Sequence, residues 1–250
     1  MTGRVHDKVA VITGGATGIG EATAELFAEE GARVAIFDRD PAGETVANRI
    51  DGARFYRADI SSEDDVRNAM ECAETDFGGI DILVNNAGVF VLKGLDATKE
   101  EWHQSLDVNI IGTSLCTRYA SESMKKRGGG AIVNLSSISA FIAQPEFLTY
   151  SATKAALVNM TRCMALDLAA HGIRVNCVCP GTIRTKATDR HMEQTGETEE
   201  EFLAENAPMH LLNRVGTPRE VAYAILFLAS EEASFITATP LMVDGGYTAR

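Results

Sequence analysis

Residues 8–20 read KVAVITGGATGIG, an apolar run rich in β-branched residues that passes directly into a glycine-rich turn. The pattern of residues 8–12 predicts a buried strand, and a helix is predicted to begin at residue 18. The glycines permit a tight turn and let the backbone approach an anion at the helix N-terminus, where free N–H groups and the helix dipole favour negative charge. A glycine-rich turn by itself is weak evidence, but this strand–loop–helix order indicates a nucleotide-binding site.

Short apolar runs alternate with longer amphipathic runs over the remaining chain. Further strands are predicted at 33–37, 54–57, 80–84, 131–135, 173–178 and 239–243, and helices at 42–50, 62–76, 98–126, 149–170, 189–206 and 218–230. Seven strands alternating with helices favour an α/β fold: a single doubly wound, Rossmann-type domain over residues 1–250. Its seven-stranded parallel sheet should have helices on both faces. Residues 182–212 interrupt this rhythm, and we expect them to form a lid over the substrate.

The composition excludes several classes of protein. The chain has 250 residues, 45% hydrophobic and 23% charged, which is too apolar for a disordered protein. With 23 basic and 35 acidic residues, its net charge of −12 does not suit a nucleic-acid binder or a polybasic membrane binder. No apolar run approaches the roughly 20 residues that span a bilayer, and residues 1–7 do not resemble a signal peptide. We therefore expect a cytoplasmic protein.

Five cysteines are scattered along the chain, at Cys72, Cys116, Cys163, Cys177 and Cys179. An odd number at these spacings does not indicate a disulfide framework. We expect core thiols in a reducing compartment and no metal site, although Cys177 and Cys179 would share one face of a strand.

Asp38 ends the second predicted strand, where an acidic residue accepts hydrogen bonds from an adenosine ribose. A carboxylate at this position would repel the additional phosphate of NADP, so the sequence favours NAD as cofactor. Arg39 leaves open a guanidinium that pairs with that phosphate, although a solvated side chain is the simpler interpretation.

Tyr150 and Lys154 are four residues apart on a predicted helix and therefore share a face. A nearby ammonium lowers the pKa of a phenol, which would make Tyr150 a general acid/base. Ser137 follows the fifth strand and could hydrogen-bond the reacting oxygen, with Ser136 as the competing candidate. A Tyr/Lys pair alone is more often a packed aromatic beside a surface lysine, but the glycine loop and Ser137 favour catalysis.

Several ordered motifs resemble those of the short-chain dehydrogenase/reductase family, over essentially the whole chain. They are TGGATGIG at 13–20, NNAG at 85–88, Asn109, Ser137, YSATK at 150–154 and PG at 180–181. The resemblance implies a catalytic set of Asn109, Ser137, Tyr150 and Lys154, in which Asn109 holds a water that links Lys154 to solvent.

The same resemblance implies a set of cofactor contacts, to which Tyr150, Lys154 and Asp38 also belong. Gly14, Thr17, Gly18, Ile19 and Gly20 would hold the phosphates, Asp59 and Ile60 the adenine, Asn86, Ala87 and Gly88 the ribose, and Pro180, Gly181, Ile183 and Thr185 the nicotinamide.

A small-molecule substrate should contact Ser137 and Tyr150, with Gln144 as the preferred further polar contact. The acidic run at 189–205 is expected to be a solvated helix face, and His191 and His210 are expected at the surface. The ending VDGGYTAR at 243–250 resembles a branch of the family that acts on cyclic or polyhydroxylated secondary alcohols and commonly forms homotetramers.

Two alternatives to an NAD-dependent alcohol or sugar dehydrogenase remain. The first is a 3-oxoacyl carrier-protein reductase, which Asp38 disfavours because reductive biosynthesis usually uses NADP. The second is a non-catalytic, NAD-binding scaffold protein, which the intact set of Asn109, Ser137, Tyr150 and Lys154 disfavours.

Overall fold

One parallel sheet of seven strands forms the centre of the molecule. The computed structural model describes residues 3–249, and for residues 191 and 194 the backbone only. The strands are β1 Val9–Thr13, β2 Arg33–Asp38, β3 Ala53–Arg57, β4 Ile82–Asn85, β5 Gly130–Leu135, β6 Ile173–Pro180 and β7 Pro240–Val243. Their order is β3-β2-β1-β4-β5-β6-β7, so the chain changes direction across the sheet between β1 and β4. Ligands bind at the carboxyl ends of the strands at such a switch point.

Helices cover both faces of this sheet. They are α1 Gly18–Glu29, α2 Ala42–Arg49, α3 Glu63–Phe77, α4 Lys99–Leu106, α5 Thr113–Arg127, α6 Leu148–Leu168, α7 Lys186–Thr195, α8 Glu199–Asn206 and α9 Pro218–Ala229. In β1, Ala10 and Ile12 pack into the core beneath α1 and α9, whereas Val9 and Val11 pack on the other face with α3 and α5. Successive strand residues face opposite ways, so a strand covered on both faces is a continuous apolar run. The predicted Rossmann-type α/β fold is confirmed.

The helix predicted over residues 98–126 is present, but it contains a π-helical turn that the sequence pattern did not predict. The chain forms α4, then a π-helical turn at Asp107–Gly112, then α5. The wider turn lies at Asn109, whose side-chain amide bonds the backbone of Val89 and the hydroxyl of Thr153. These contacts join the turn to distant parts of the chain, so they are absent from the local apolar pattern that predicted a continuous helix.

The acidic run predicted as one helix over residues 189–206 forms two. Gly196 adopts φ 75° and ends α7, and Thr198 begins α8 through a capping box with Glu201. A glycine in the left-handed conformation satisfies the last carbonyls of a helix, and a capping box satisfies the first N–H groups of the next. The break follows from these two local signals, which outweigh the continuous polar pattern.

Asp81 joins three elements at the amino-terminal edge of the sheet. Its carboxylate accepts a 2.8 Å hydrogen bond from the Val9 amide at the start of β1. The Arg127 guanidinium at the end of α5 bonds both oxygens of Asp81, at 2.8 and 3.2 Å. The carboxylate is largely buried, so its interaction with Arg127 is screened less than that of a surface pair.

Replacement of Asp81 by Asn should lower the free energy of unfolding by about 2 kcal/mol, because the Arg127 guanidinium loses its charged partner in a partly buried site. Urea denaturation measures the change. Asp64→Asn is the matched control, since Asp64 pairs with Arg67 at the exposed surface, and we expect a loss below about 0.5 kcal/mol. Equal losses in the two variants would contradict this role of Asp81.

Candidate active site

The NNAG segment after β4 holds the glycine loop after β1 in place. The Asn86 side-chain amide donates to the carbonyls of Thr13 and Gly14 at 3.0 and 2.9 Å. The backbone N–H groups of Asn86 and Ala87 both donate to the buried Thr13 hydroxyl at 3.0 Å. Gly14 has φ +67°, and a Cβ atom there would lie 2.8 Å from the Ala87 Cα atom. A side chain at Gly14 would therefore push the two segments apart.

The loop leads into the N-terminus of α1 through Thr17, whose side chain makes no capping hydrogen bond within the described structure. Gly18 has φ +61°, and a Cβ atom there would lie 3.5 Å from the Thr185 side chain, an ordinary van der Waals distance. Gly20 is buried under the loop, where a Cβ atom would lie 2.1 Å from the Gly14 carbonyl oxygen. The first N–H groups of α1 are thus available to an anion, and the loop's shape fits a pyrophosphate.

A cavity of about 330 Å³ runs along the carboxyl ends of the strands from this loop to Tyr150. The predicted cofactor residues on its wall are Gly14, Thr17, Gly18, Ile19, Asp38, Asp59, Ile60, Asn86, Ala87, Gly88, Tyr150, Lys154 and Thr185. Gly20, Pro180, Gly181 and Ile183 do not line it, and the last three lie at or just beyond the end of β6. The structure therefore places most of the predicted set around one elongated cavity.

At the far end of the cavity, both oxygens of the Asp38 carboxylate accept backbone hydrogen bonds. The donors are the amides of Ala16, at 3.0 Å, and Asp40, at 2.9 Å. A carboxylate offers about four acceptor positions, so two remain for a ligand. The Arg39 guanidinium is largely exposed and lies 3.7 Å from the Asp59 carboxylate.

Tyr150, Lys154 and Ser137 meet where β5 and α6 approach the cavity. All three residues are buried; Tyr150 and Lys154 line the cavity, and Ser137 lies close enough to Tyr150 for its hydroxyl to lower the pKa of that phenol. The Lys154 ammonium donates to the Leu135 carbonyl at 2.8 Å and lies 5.4 Å from the centre of the Tyr150 ring. Ser136, the competing candidate, instead donates its hydroxyl to the Lys154 carbonyl at 2.9 Å. The geometry therefore favours Ser137 over Ser136.

Burial shifts the pKa values of both central groups toward their neutral forms. It lowers the pKa of Lys154 from 10.5 to about 8, so the amine still carries a proton at pH 7. Burial also raises the pKa of Tyr150, and the opposing effect of the Ser137 hydrogen bond is smaller. The expectation that the Lys154 ammonium lowers the pKa of Tyr150 is wrong for the protein on its own, because desolvation of the phenolate dominates.

Asn109 connects the NNAG segment to the helix that carries Tyr150 and Lys154. Its side-chain oxygen accepts from the Val89 amide at 2.8 Å, and its nitrogen donates to the Val89 carbonyl and the Thr153 hydroxyl, both at 3.1 Å. The π-helical turn makes this reach possible, and such turns are frequent at functional sites. Asn109 is 2% exposed and does not line the cavity.

Two aromatic side chains that were not assigned to the site contact Tyr150. Phe90 is 61% exposed and stacks on the Tyr150 ring at 5.0 Å between centroids. Phe147 meets the same ring edge-on at 6.0 Å. Phe90 lies two residues after NNAG and Phe147 three residues before Tyr150, and this closeness in sequence to two motifs of the predicted site was the available signal.

Gln144 does not stand free beside the site. Its side-chain oxygen accepts a 2.7 Å hydrogen bond from the Ser139 hydroxyl, and Ser139 contacts Ser137 in turn. The Gln144 side-chain nitrogen has no hydrogen-bond partner within residues 3–249. Ser139 was missed because a lone serine in a turn gives no signal of its own in the sequence.

The expectation that His210 lies at the surface is wrong, since only 3% of the residue is exposed. Its Nε2 atom accepts from the Thr182 amide at 3.2 Å, and its Nδ1 atom lies 2.9 Å from the Asn206 carbonyl oxygen. These partners place the ring proton on Nδ1. The ring therefore connects Thr182, just after β6, to Asn206 at the end of α8. The His191 side chain lies outside the described part of the structure.

The cysteines follow the expectation of core thiols only in part. Cys116, Cys177 and Cys179 are buried, and the last two pack together on one face of β6, whereas Cys72 and Cys163 are exposed. All five are free thiols.

Among the described side chains, no group of three or more His, Cys, Asp or Glu residues could hold a metal ion. No helix in the described residues is long and apolar enough to cross a membrane.

Comparison with known proteins identifies the family. Residues 14–248 match a family model described as enoyl-(acyl carrier protein) reductase. The chain is 41% identical over 251 residues to cis-4-hydroxycyclohexanecarboxylate dehydrogenase of Sinomonas cyclohexanicum, covering 97% of each protein. It is 39% identical over 258 residues to the NADP-dependent (R)-specific alcohol dehydrogenase of Lentilactobacillus kefiri, covering 100% of each. It is 38% identical over 247 residues to 2,5-dichloro-2,5-cyclohexadiene-1,4-diol dehydrogenase of Sphingobium indicum, covering 97% of each.

Fold, site geometry and these full-length similarities define an oxidoreductase. The chain belongs to the short-chain dehydrogenase/reductase family, as its sequence motifs predict. Members of this family use a nicotinamide cofactor, and the glycine loop and elongated cavity of this chain fit such a group.

The lowered pKa of Lys154 predicts a dependence of stability on pH. Between pH 8 and pH 10.5 the unfolded chain binds more protons at Lys154 than the folded chain does, so stability should rise with pH by about 3 kcal/mol. Lys154→Met should remove this rise, as measured by urea denaturation at several pH values. Lys125→Met, at the exposed end of α5, is the control that should keep it. A parallel pH dependence in Lys154→Met and wild type would refute the assignment.

Proposed function

We propose that this protein is an NAD-dependent dehydrogenase that interconverts a secondary alcohol and its ketone, with a cyclic or polyhydroxylated small molecule as substrate. The observation that carries the proposal is a cavity lined at one end by Tyr150 and Lys154, with Ser137 beside Tyr150, whose other end reaches Asp38. One domain over residues 1–250, with a lid at about 182–212, would perform the whole reaction.

Tyr150 serves as the general base in alcohol oxidation and as the general acid in ketone reduction. Its phenolate oxygen would take the proton of the substrate hydroxyl, and Ser137 would donate a hydrogen bond to the oxygen on which charge changes. Lys154 keeps a protonated amine 5.4 Å from the centre of the Tyr150 ring at neutral pH. The glycine loop and Asp38 would hold NAD, which would supply the hydride acceptor and a positive charge that offsets the effect of burial on the pKa of Tyr150.

Residues next to the site favour a ring-shaped substrate. Phe90 presents an exposed aromatic surface beside Tyr150, and Phe147 borders the same ring. An apolar wall with a few polar groups suits a cyclic alcohol, with Gln144 as a further polar contact. Two relatives named above are dehydrogenases of a hydroxycyclohexane carboxylate and a cyclohexadiene diol, which supports this class.

A carrier-protein reductase remains the second candidate, because the matching family model carries the description of a reductase that acts on an acyl carrier protein. The exposed acidic residues of α7 and α8 disfavour the docking of a polyanionic carrier beside the site. Asp38 also disfavours this candidate, since NADP is the usual cofactor of reductive biosynthesis.

We further propose a cytoplasmic homotetramer. Several large apolar side chains are exposed on the single chain, among them Phe235 and Leu166, at 102% and 80% of full exposure. Contacts between copies of the chain would cover such side chains. Size-exclusion chromatography with light scattering measures the number of copies directly.

The catalytic proposal predicts that the wild-type protein reduces NAD in the presence of cyclic alcohols from a panel of cyclic alcohols, polyols and sugars. Tyr150→Phe should lose turnover by at least about 100-fold, because the proton acceptor is gone, while NAD still binds. Tyr119→Phe is the control, since its hydroxyl bonds Glu63 at the surface and should not affect turnover. Full activity in Tyr150→Phe would refute the mechanism, and a wild type that binds NAD but oxidises no compound would favour the scaffold protein.

The assignment of Asp38 predicts a change in cofactor preference. Asp38→Ala and Asp38→Asn should each shift the ratio of kcat/KM for NAD over NADP toward NADP by at least about tenfold, because both remove the charge that repels the additional phosphate. The Asn variant keeps one oxygen acceptor, enough for only one of the amides of Ala16 and Asp40, whereas the Ala variant keeps none, so the pair compares loss of charge with partial and with complete loss of loop support. An unchanged ratio in both variants would contradict this role for Asp38.

A further inference from the structure

A line of hydrogen bonds connects Ser137 to Gln144 through Ser139. The hydroxyl oxygens of Ser137 and Ser139 lie 3.1 Å apart, and the Ser139 hydroxyl lies 2.7 Å from the Gln144 side-chain oxygen. The Ser139 backbone amide also donates to the Ser137 hydroxyl oxygen at 3.1 Å. At its other end, Ser137 lies beside Tyr150, close enough for its hydroxyl to lower the pKa of that phenol. The chain thus runs from Tyr150 to a side-chain amide at the edge of the site.

The donor at each step follows from the group at the end of the chain. An amide oxygen only accepts, so Ser139 must donate to Gln144, and the Ser137 hydroxyl then donates to Ser139. In this direction the Ser137 proton points away from the place of a reacting oxygen and cannot at the same time be donated to the Tyr150 oxygen.

A half-turn of the Gln144 amide reverses every donor in the chain. The side-chain nitrogen, which has no partner within residues 3–249, would then donate to Ser139, Ser139 to Ser137, and Ser137 to the reacting oxygen. Each hydroxyl that accepts a hydrogen bond becomes a better donor, because hydrogen bonds in series polarise one another. In this direction Ser137 receives two donors from Ser139, the amide and the hydroxyl, while its own proton faces the substrate.

We propose that Ser139 and Gln144 are positioning residues that orient the Ser137 hydroxyl through a reversible hydrogen-bond chain. The hydrogen-bond chain points outward in the protein without substrate and inward when a negatively charged oxygen lies against Ser137. This inference rests on the proposed function for its effect on rate, whereas the chain itself is a property of the protein alone. Ser139 is 5% exposed, and its backbone amide and its hydroxyl both contact the Ser137 hydroxyl, so it acts through Ser137.

The first measurement needs no substrate. In ¹H–¹⁵N spectra of the full-length protein, the Gln144 side-chain amide is assigned by its loss in Gln144→Ala. We expect this signal to move in Ser139→Ala and also in Ser137→Ala, because both remove a member of the chain. Ser123→Ala is the matched control, since Ser123 is equally buried and accepts from the Ile80 amide at the opposite edge of the sheet. A Gln144 signal that does not move in Ser137→Ala would overturn the chain.

The second measurement separates positioning from structural support. Ser139→Ala keeps the backbone donor to Ser137 and removes only the hydroxyl, so kcat should fall about tenfold while KM for the alcohol and the affinity for NAD stay within about twofold. Ser139→Thr, which restores a hydroxyl, should recover kcat. Ser139→Ala combined with Gln144→Ala should lower kcat no further than Ser139→Ala alone, because both changes break one hydrogen-bond chain, while loss of the Gln144 contact with substrate is measured separately as a change in KM.

The outcomes of the two measurements are distinct. Unchanged kcat in Ser139→Ala, failure of Ser139→Thr to recover it, or multiplied losses in the double variant would overturn the positioning role. A wild type without activity on any alcohol would overturn the proposed function, and the Gln144 signal would then decide whether the chain exists.

Discussion

The contact between the carboxyl ends of β1 and β4 is the constraint on which the site depends. The Thr13 hydroxyl accepts hydrogen bonds from two backbone N–H groups of the NNAG segment. The Asn86 side-chain amide donates two hydrogen bonds to carbonyls of the glycine loop. With these bonds made, the loop and the segment approach so closely that a Cβ atom at Gly14 or Gly20 would collide with backbone. The same segment continues into Val89, which holds Asn109 and through it α6. This one junction therefore positions both the end of the cavity at the glycine loop and the end at Tyr150 and Lys154.

Burial determines the electrostatics at the end of the cavity where Lys154 and Tyr150 lie. Lys154 has no carboxylate within ion-pair distance among the described side chains, and the Leu135 carbonyl is its hydrogen-bond acceptor. Its ammonium and the Tyr150 phenol are both buried, and the pKa of each is shifted toward the neutral form. Such a site costs stability in the free protein, and it is arranged to interact strongly with charge that develops inside it. The positive charge of an oxidised nicotinamide is suited to offset that cost.

Periodic and local signals in the sequence predicted most of the architecture. The seven strands and their parallel order follow from short apolar runs separated by helical ones, since a strand covered on both faces must be apolar throughout. The glycine loop and the spacing of Tyr150 and Lys154 predicted a nucleotide cavity with a basic group beside a phenol. The two helix errors differ in kind: the break at Gly196 was readable from a glycine and a capping box, whereas the π-helical turn at Asn109 was not.

By itself the sequence determined the fold class, the family and the residue types at the catalytic end, because these depend on periodicity and on motifs of short range. Only the tertiary structure decided the burial of His210, the stacking of Phe90 on Tyr150, the hydrogen bond from Ser136 to the Lys154 carbonyl and the connection of Gln144 to Ser137 through Ser139. Each of these depends on where side chains from separate segments come to rest against one another. Desolvation likewise arises only from the assembled core, so the shifted pKa values of Tyr150 and Lys154 were not readable from their four-residue spacing.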